Sequence, residues 1–235
     1  MWDNKLKAVT FSFDDAVIQD KKAIEILDKY NLKATFNLNS ALLGCKGKLN
    51  LCNDWICHDK ISVSEVKKIY KNHEVAVHTL SHPNLTELDE SSIVYQVEED
   101  RVQLEKLTGK KVYGMAYPCG GVNNDDRVAK ILKNNTSILY SRTITSTHSF
   151  ELQENLFRFN PTVYFIEDCL FELGKKFIEC NPHKPQLFYI WGHTYELDSK
   201  LFSWEKFEMF CSMISNQNDI FYGTNSEVLL VQNVN

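Results

Sequence analysis

Two acids and three histidines in this sequence have the types and spacing to bind a metal ion and to transfer protons. Asp14 and Asp15 are adjacent, His78 and His82 are four residues apart, and His193 follows much later. Two histidines with one carboxylate form a common binding set for Zn²⁺ or another divalent cation, and such a set leaves coordination positions for water. A second carboxylate or a further histidine nearby can move protons. The pattern therefore indicates a metal site with acid–base groups beside it.

Each of these residues also has an ordinary structural interpretation. One aspartate can cap a helix that starts a few residues later, but capping needs only one acid. Histidines four residues apart are often structural, and Pro83 disfavours the helix that would stack His78 on His82. A lone histidine after the apolar run 187–191 is often a core residue. The chemical interpretation therefore depends on a fold that brings these residues together.

The hydrophobic pattern alternates between short strands and helices. It predicts strands at 7–13, 33–38, 74–78, 111–116, 137–140, 159–164, 187–191 and 220–222, and helices at 20–30, 62–71, 89–107, 125–133, 167–180 and 204–214. About seven β–α repeats are typical of a parallel sheet, which usually closes into a barrel at this length. Because no linker, composition break or repeat divides the chain, we expect one α/β domain over residues 1–235.

Polar and reactive residues follow most of the predicted strands. They are Asp14, Asp15, Asn37, Asn39, His78, His82, Tyr117, Cys119, Arg142 and His193. In a parallel α/β barrel the residues after each strand share one rim, and catalytic residues collect there. The predicted fold therefore gathers the acids and the histidines into a single site.

The segment 44–59 is longer than a usual connection and has no clear helix or strand pattern. It contains Cys45, Cys52, Cys57 and His58, but the C-x₂-C pair typical of a zinc cluster is missing. We expect a surface loop that shapes the mouth of the site. The seven cysteines of the chain are odd in number and mostly isolated, which favours reduced thiols.

Composition and charge exclude several classes of partner. Lys and Arg total 26 against 31 for Asp and Glu, a net charge of −5 with no basic excess for nucleic acid. No apolar run approaches the roughly 18 residues needed to span a bilayer, and the first residues have no apolar export segment. We therefore expect a cytoplasmic protein with no nucleic-acid or membrane partner, while the oligomeric state stays open.

The sequence resembles the polysaccharide deacetylases of carbohydrate esterase family 4. The segment 10–15, TFSFDD, is similar to the first family motif, T-F-D-D, and the segment 78–82, HTLSH, fits the second, H-[ST]-x-x-H. The order of strands also fits from about Lys7 to Tyr222. The resemblance implies a distorted (β/α)7-8 barrel that hydrolyses N-acetyl groups on an amino sugar, oligosaccharide or polysaccharide. It also implies one divalent metal, by default Zn²⁺, with Co²⁺, Ni²⁺ or Fe²⁺ suited to the same ligands.

The resemblance assigns a role to each of the chemical residues. Asp14 would be the general base and His193 the general acid, while Asp15, His78 and His82 would hold the metal. The backbone N–H of Cys119 matches the family's donor to the reaction's oxyanion, which lies in the third motif, R-P-P-Y.

Two family features are missing from this sequence. The motif-three arginine, which orients the base in the family, falls on Ala116, and we expect Arg142, or else Arg158, to replace it. The D-x-x-D-W motif that closes the pocket in many members is also absent. The substrate contacts expected instead are Trp191 and the segment near Phe159, with Tyr117, Asn37 and Asn39.

Three functions remain open at this point. An N-deacetylase of acetylated sugars explains the most residues. An amidohydrolase acting on a non-sugar amide would use the same barrel. A catalytically silent carbohydrate-binding protein would explain the missing motif-three arginine, although such proteins usually lose an acid or a histidine of the site as well.

Overall fold

Eight parallel strands form one curled sheet in a computed structural model of the chain, which describes residues 1–230. The strands of the chain are β1 (Lys7–Asp14), β2 (Ala34–Leu38), β3 (Lys48–Leu51), β4 (Asp54–Cys57), β5 (Glu74–Val77), β6 (Gly114–Ala116), β7 (Tyr140–Arg142), β8 (Val163–Tyr164), β9 (Gln186–Gly192) and β10 (Ile220–Tyr222). In the sheet the order is β7-β6-β5-β2-β1-β9-β8, with β10 beside β1, while β3 and β4 form a separate antiparallel hairpin. The end of the expected domain, 231–235, lies outside the described residues.

Helices connect most of the sheet strands. They are α1 (Asp20–Lys29), α2 (Val66–Ile69), α3 (Glu90–Thr108), α4 (Asp126–Asn135), α5 (Leu170–Glu179), α6 (Trp204–Ile214) and α7 (Asn225–Leu229). Within residues 1–230, no helix combines the length and the apolar character that crossing a membrane requires.

The two ends of the sheet approach each other through the segment 159–164. Phe159 forms a parallel bridge to Arg142 in β7, and Val163 pairs with Ile190 in β9. Closure of the sheet into a barrel therefore depends on the Arg142–Phe159 bridge and on the two-residue strand β8. The (β/α) barrel expected from the sequence is confirmed, in its distorted form.

The central strand β1 shows why this sequence forms a buried strand with two different faces. Alternate side chains point to opposite faces of a strand. Phe11 and Phe13 face the helices, and both rings make edge-on contacts with Phe207 of α6 at 6.4 and 5.9 Å between centroids. Full burial of one such side chain contributes about 1.5–3 kcal/mol, so this face anchors the strand to the helical layer.

The other face of β1 is polar and lies inside the barrel. The hydroxyl of Thr10 donates to the Asn225 side chain at 2.9 Å, and the amides of Asn225 and Asn37 both donate to the Ser12 hydroxyl. Because buried polar groups are stable only when hydrogen-bonded, this row fixes the strand up to Asp14, its last residue.

Several elements differ from the sequence-based expectations, and three of them lie near the site or the sheet edge. The strand expected at 137–140 lies at 140–142, where Tyr140 pairs with Gly114 and its ring occupies the space that a side chain at Gly114 would need. The helix expected at 62–71 is a short 3-10 turn followed by α2. The segment 44–59, expected to be an irregular loop, contains the β3–β4 hairpin.

Candidate active site

The carboxyl ends of the sheet strands surround a cavity of about 540 Å³, within the usual range for small-molecule sites. Eight of the residues selected from the sequence line it: the two adjacent aspartates, the three histidines, Tyr117, Cys119 and Trp191. Asp14 and Asp15 come from the end of β1, and the histidines follow β5 and β9. The fold thus brings together residues that are up to 179 positions apart in the sequence.

Asp14 is buried and paired with Arg142. The Arg142 Nη2 atom lies 2.5 Å from both carboxylate oxygens of Asp14, and the Asn37 amide donates to Oδ1 at 2.8 Å. The exposed fractions of the two charged side chains are 2% and 0%. Burial disfavours the carboxylate, but the charge of Arg142 outweighs it, so the pKa of Asp14 lies below its ordinary value. This carboxylate is therefore ionised at neutral pH.

The position of Arg142 explains how the chain tolerates Ala116. Arg142 ends β7, and its register partner on the neighbouring strand β6 is Ala116. The family motif has its arginine at the position of Ala116 on β6. Here the guanidinium comes instead from Arg142, beside Ala116 on the adjacent strand, and it reaches the Asp14 carboxylate. Arg158, the other candidate, instead contacts Asn124 and Asp126 on the protein surface.

The potential metal ligands of the cavity are Asp15, His78 and His82. One ligand atom of each lies within 4.8 Å of those of the other two. The His78 Nδ1 atom is 2.9 Å from the carbonyl of Ala116, which can only accept, so Nδ1 carries the proton and the Nε2 lone pair is free. Burial lowers the pKa of His78 to about 4, which keeps the ring neutral. A carboxylate and neutral imidazoles are suitable ligands for a divalent metal.

Buried polar side chains hold the histidine segment in place. The Asn39 amide donates to the carbonyls of His78 and Thr79, and one Asp100 oxygen accepts the backbone N–H of His78 at 3.2 Å. Burial raises the pKa of Asp100 to about 8. Asn37 and Asn39 thus lie behind the cavity wall, fully buried, rather than on its surface. The substrate contact expected of them is replaced by contacts that support Asp14 and His78.

Two residues from the hairpin side of the site also contact Asp15. The sequence placed His58 in a segment expected at the mouth of the site but did not connect it with Asp15, and it gave no signal for Lys60. The His58 Nε2 atom lies 3.4 Å from Asp15 Oδ2, and Lys60 Nζ lies 3.5 Å from Oδ1. Burial disfavours the Asp15 carboxylate, but the hydrogen bond from His58 and the charge of Lys60 hold its pKa well below the ordinary range. Asp15 is therefore an ionised ligand candidate at neutral pH.

The backbone at the site adopts unusual conformations. Asp15, Thr79, His82 and Cys119 have φ between 64° and 86°, the left-handed region that residues other than glycine seldom occupy. Such residues persist where the surrounding structure fixes them, and they concentrate at functional sites. At Asp15 the fixing contact is a hydrogen bond from its N–H to the carbonyl of Asn37.

His193 lies at the end of β9 against Glu196 and three aromatic rings. Its Nδ1 atom is 3.4 Å from Glu196 Oε1, and its backbone N–H donates to Oε2 at 3.1 Å. The Tyr164 hydroxyl contacts the same carboxyl group. Burial lowers the pKa of His193 and raises the pKa of Glu196 to about 8. Glu196 was not selected from the sequence; its only signal there is its position three residues after His193.

The remaining selected residues form one wall of the cavity. Trp191 stacks on Tyr164 with 4.4 Å between ring centroids, and the Arg142 guanidinium lies 4.6 Å above the Trp191 ring. The indole N–H of Trp191 is buried and has no hydrogen-bond partner among residues 1–230. Tyr117 lines the cavity but donates its hydroxyl to the carbonyl of Phe157. Cys119 completes this wall, and its Sγ atom lies 3.7 Å from His82 Nδ1.

Comparison with known proteins gives a family and a set of related folds. The sequence profile of the family described as polysaccharide deacetylase matches residues 3–136. Among curated proteins, the uncharacterised YlxY of Bacillus subtilis strain 168 is 30% identical over 101 residues, which cover 43% of this chain and 27% of YlxY. The chain thus aligns with about a quarter of that relative.

Two of the similar solved structures are described as a deacetylase and as a carbohydrate esterase family 4 pseudoenzyme. The Streptococcus pyogenes deacetylase PplD, solved with acetate, is 21% identical with a TM-score of 0.52, and the match covers 63% of this chain and 61% of PplD. BA3943 of Bacillus anthracis, described as a carbohydrate esterase family 4 pseudoenzyme, is 21% identical with a TM-score of 0.58, and the match covers 96% and 66% of the two chains. A mutant of BA3943 with restored enzymatic activity aligns equally well. At these identities the likeness concerns the fold.

The profile match spans more than half of the sequence and includes both aspartates of the site as well as His78 and His82. On this ground the chain belongs to the polysaccharide deacetylase family.

Proposed function

We propose that this chain is a metal-dependent N-deacetylase that hydrolyses the acetamide group of an amino sugar, an oligosaccharide or a polysaccharide. The observation that carries the proposal is the position of an ionised, arginine-paired Asp14 in the same cavity as the Asp15, His78 and His82 cluster. This combination provides a base and a metal-binding set for one water molecule.

The donor set fits a divalent metal. Asp15 offers a carboxylate oxygen held at the cavity by His58 and Lys60, and His78 offers an Nε2 lone pair fixed by the hydrogen bond on its other nitrogen. His82 supplies the third ligand. A bound metal of the Zn²⁺ class lowers the pKa of a coordinated water and polarises the amide carbonyl.

The protein's own groups divide the proton transfers between them. Asp14 accepts the proton of the attacking water, and Arg142 keeps it ionised for that step and fixes its orientation. His193 donates a proton to the departing amine from its imidazolium form, which burial disfavours and which the negative charges of Asp15 and Asp14 stabilise. The backbone N–H of Cys119 has no acceptor among the described residues and supplies a donor for the oxyanion. The Trp191 N–H, also unpaired, can bind the substrate at the cavity wall.

Acetate release tests the proposal directly. We expect the Zn²⁺- or Co²⁺-loaded protein to release acetate from N-acetylglucosamine or from chitooligosaccharides, to lose this activity on chelation and to regain it when metal is restored. Release only from a non-sugar acetamide would support the amidohydrolase alternative. Failure of the folded, metal-loaded protein on the whole panel, together with binding of the sugars, would support a silent carbohydrate-binding protein and contradict the proposal.

Glu196 acts in this proposal as a positioning residue for His193. Because burial raises its pKa to about 8, the carboxyl group is mostly neutral at pH 7 and contributes hydrogen bonds rather than charge. We expect Glu196→Ala to lower kcat by about 10²-fold through misplacement of His193. Glu196→Gln keeps the hydrogen-bonding shape, so it should restore most of kcat. Measurement of kcat and KM for both variants separates positioning from binding.

The same pKa predicts an effect of pH on stability. A carboxyl group with a raised pKa in the folded state makes the protein less stable as pH rises from its ordinary pKa, 4.5, towards about 8. Glutamine does not titrate, so Glu196→Gln should gain stability relative to the wild type over this range. Thermal unfolding at several pH values checks the sign. A constant difference between the two proteins would show that the Glu196 carboxyl does not titrate in this window.

A further inference from the structure

A second cluster of metal-ligand side chains lies outside the active-site cavity. It consists of His148, Glu167 and Cys169, whose ligand atoms lie within 4.8 Å of one another. His148 lies in the segment between β7 and β8, and the other two lie just after β8. None of the three lines the cavity of about 540 Å³. The family motifs do not include them.

The geometry of Glu167 directs one oxygen into this cluster. Its Oε1 atom accepts the Ser146 hydroxyl at 2.5 Å and the Tyr164 backbone N–H at 3.1 Å. Its Oε2 atom is 2.6 Å from His148 Nε2 and 3.8 Å from the Cys169 Sγ. One oxygen is thus fixed by the protein, and the imidazole and the thiol converge on the other.

We propose that His148, Glu167 and Cys169 bind a second divalent transition metal of the Zn²⁺ class. Carboxylate, imidazole and thiolate are all common zinc ligands, and three of them leave one position for water. Tetrahedral coordination with ordinary bond lengths places a ligand nitrogen about 3.3 Å, and a ligand sulfur about 3.5 Å, from a ligand oxygen. The Cys169–Glu167 separation of 3.8 Å is about 0.3 Å longer than the second value. The His148–Glu167 separation of 2.6 Å is about 0.7 Å shorter than the first, because the two groups contact each other directly, so the ion would replace this contact and the imidazole would move outwards.

The electrostatics of the cluster also favour a cation. The Cys169 thiol lies beside the Glu167 carboxylate, with 3.8 Å between Sγ and Oε2. When the metal binds, the thiol proton passes to solvent, the sulfur binds as thiolate, and His148 binds through the Nε2 lone pair with its proton on Nδ1. The positive ion then separates two negative groups that otherwise repel each other.

Metal binding here would tie a loop to the start of α5. The segment between β7 and β8 also carries Ile144, which lines the active-site cavity, and begins directly after Arg142. A metal held by His148 on this segment and by two residues beyond β8 would therefore restrain one wall of the cavity. This structural role does not depend on the deacetylase proposal.

Cobalt substitution provides a test with a readout other than activity. The active-site set has no sulfur ligand, so a thiolate-to-Co²⁺ absorption band in the near ultraviolet reports on Cys169. We expect the Co²⁺-loaded wild type to show this band and to bind two equivalents of metal. Cys169→Ser should lose the band and one equivalent. Cys180→Ser, a matched control at the end of α5, and Cys119→Ser should both keep the band.

Two further measurements keep the test decisive. Asp15→Asn should lose the active-site metal while keeping the band, so failure of the deacetylase proposal is distinguishable from failure of this one. In the wild type, Zn²⁺ should slow alkylation of Cys169 but not of Cys180, as measured by mass spectrometry, which needs no variant. Absence of the band in Co²⁺-loaded wild type, or its survival in Cys169→Ser, would overturn the proposal.

Discussion

Replacing Asp14 by asparagine should lower kcat/KM for acetate release by about 10³-fold, because a general base contributes roughly 10²–10⁴-fold to such reactions. Asparagine keeps the shape and the hydrogen bond to Asn37, but it cannot accept the proton of the attacking water. The variant should still bind the active-site metal, since Asp14 is not one of the three clustered ligands. Steady-state kinetics on metal-loaded protein, with the metal content measured in parallel, check both expectations.

Asp20 provides a matched control for this substitution. Its carboxyl group is also buried, accepts hydrogen bonds from Tyr70 and Thr194, and has a pKa raised by burial to about 7. It does not line the cavity. Asp20→Asn should therefore keep its activity close to that of the wild type. Activity retained by a folded, metal-loaded Asp14→Asn variant would show that another group accepts the proton.

Replacing Arg142 by methionine should affect stability and catalysis together. Removal of one partner of a buried ion pair leaves an uncompensated charge and typically costs about 3–5 kcal/mol in the free energy of unfolding. Arg142 and Asp14 are both almost fully buried, so we expect a loss near the lower end, about 3 kcal/mol, because Asn37 still donates to Asp14. Chemical denaturation of the two proteins measures this difference.

The same variant should shift the pH dependence of the reaction. Without the guanidinium charge, burial raises the pKa of Asp14, and a neighbouring arginine typically lowers such a pKa by about 1–3 units. The base works only when ionised, so the acidic limb of kcat/KM should move to higher pH by about 1–3 units. An unchanged limb would contradict the role given to Arg142.

The stability effect has a defined pH window as well. The folded-state pKa of Asp14 lies below its ordinary value, so the pair's contribution is present above about pH 4 and is lost as pH falls through the folded-state pKa. The difference between wild type and Arg142→Met should therefore be largest near neutral pH. Arg158→Met is the matched control, because Arg158 is partly exposed and contacts Asp126 instead. It should change neither stability nor the acidic limb substantially.

Much of the fold was predictable because local signals agree with the final structure. The helix expected at 89–107 forms as α3, with the Asp89 side chain capping its first turn and Gly109 ending it at a φ of 72°. Strand β1 was expected within one residue of its observed end. These elements carry strong hydrophobic patterns and clear start or stop residues, so tertiary contacts did not need to override them.

The hairpin was not predictable in the same way. Strands β3 and β4 are four residues each, and their buried or half-buried side chains come mainly from Leu49, Leu51 and Ile56. So short an alternation is not distinguishable from a loop by pattern alone. The hairpin acquires its order by packing on Val17 and Tyr195, which are distant in sequence.

Within the site, the motifs identified the adjacent aspartates and the histidine pair, but not their neighbours. The contacts of Asp15 with His58 and Lys60 join positions more than 40 residues apart that belong to no shared motif. Arg142 was selected because it follows a predicted strand. Its pairing with Asp14 could not be read from the sequence, because it depends on β7 lying beside β6 in the sheet. Long-range pairing of this kind depends on sheet order, which local patterns do not encode.

The position of β1 at the centre of the sheet has a consequence for how the site assembles during synthesis. Asp14, Asp15, His78 and His82 have all been made by residue 82, but β1 pairs with β9 and β10, near the end of the described chain. Its aromatic face is covered by α6, and its polar row is completed by Asn225. On the ribosome, an unfinished chain can pair β1 with β2, but the other edge of β1 and its aromatic face stay uncovered, and long-range pairing of this kind forms slowly. The cavity around the two aspartates is therefore complete only after α6 and β10 have been made, more than 100 residues after His82.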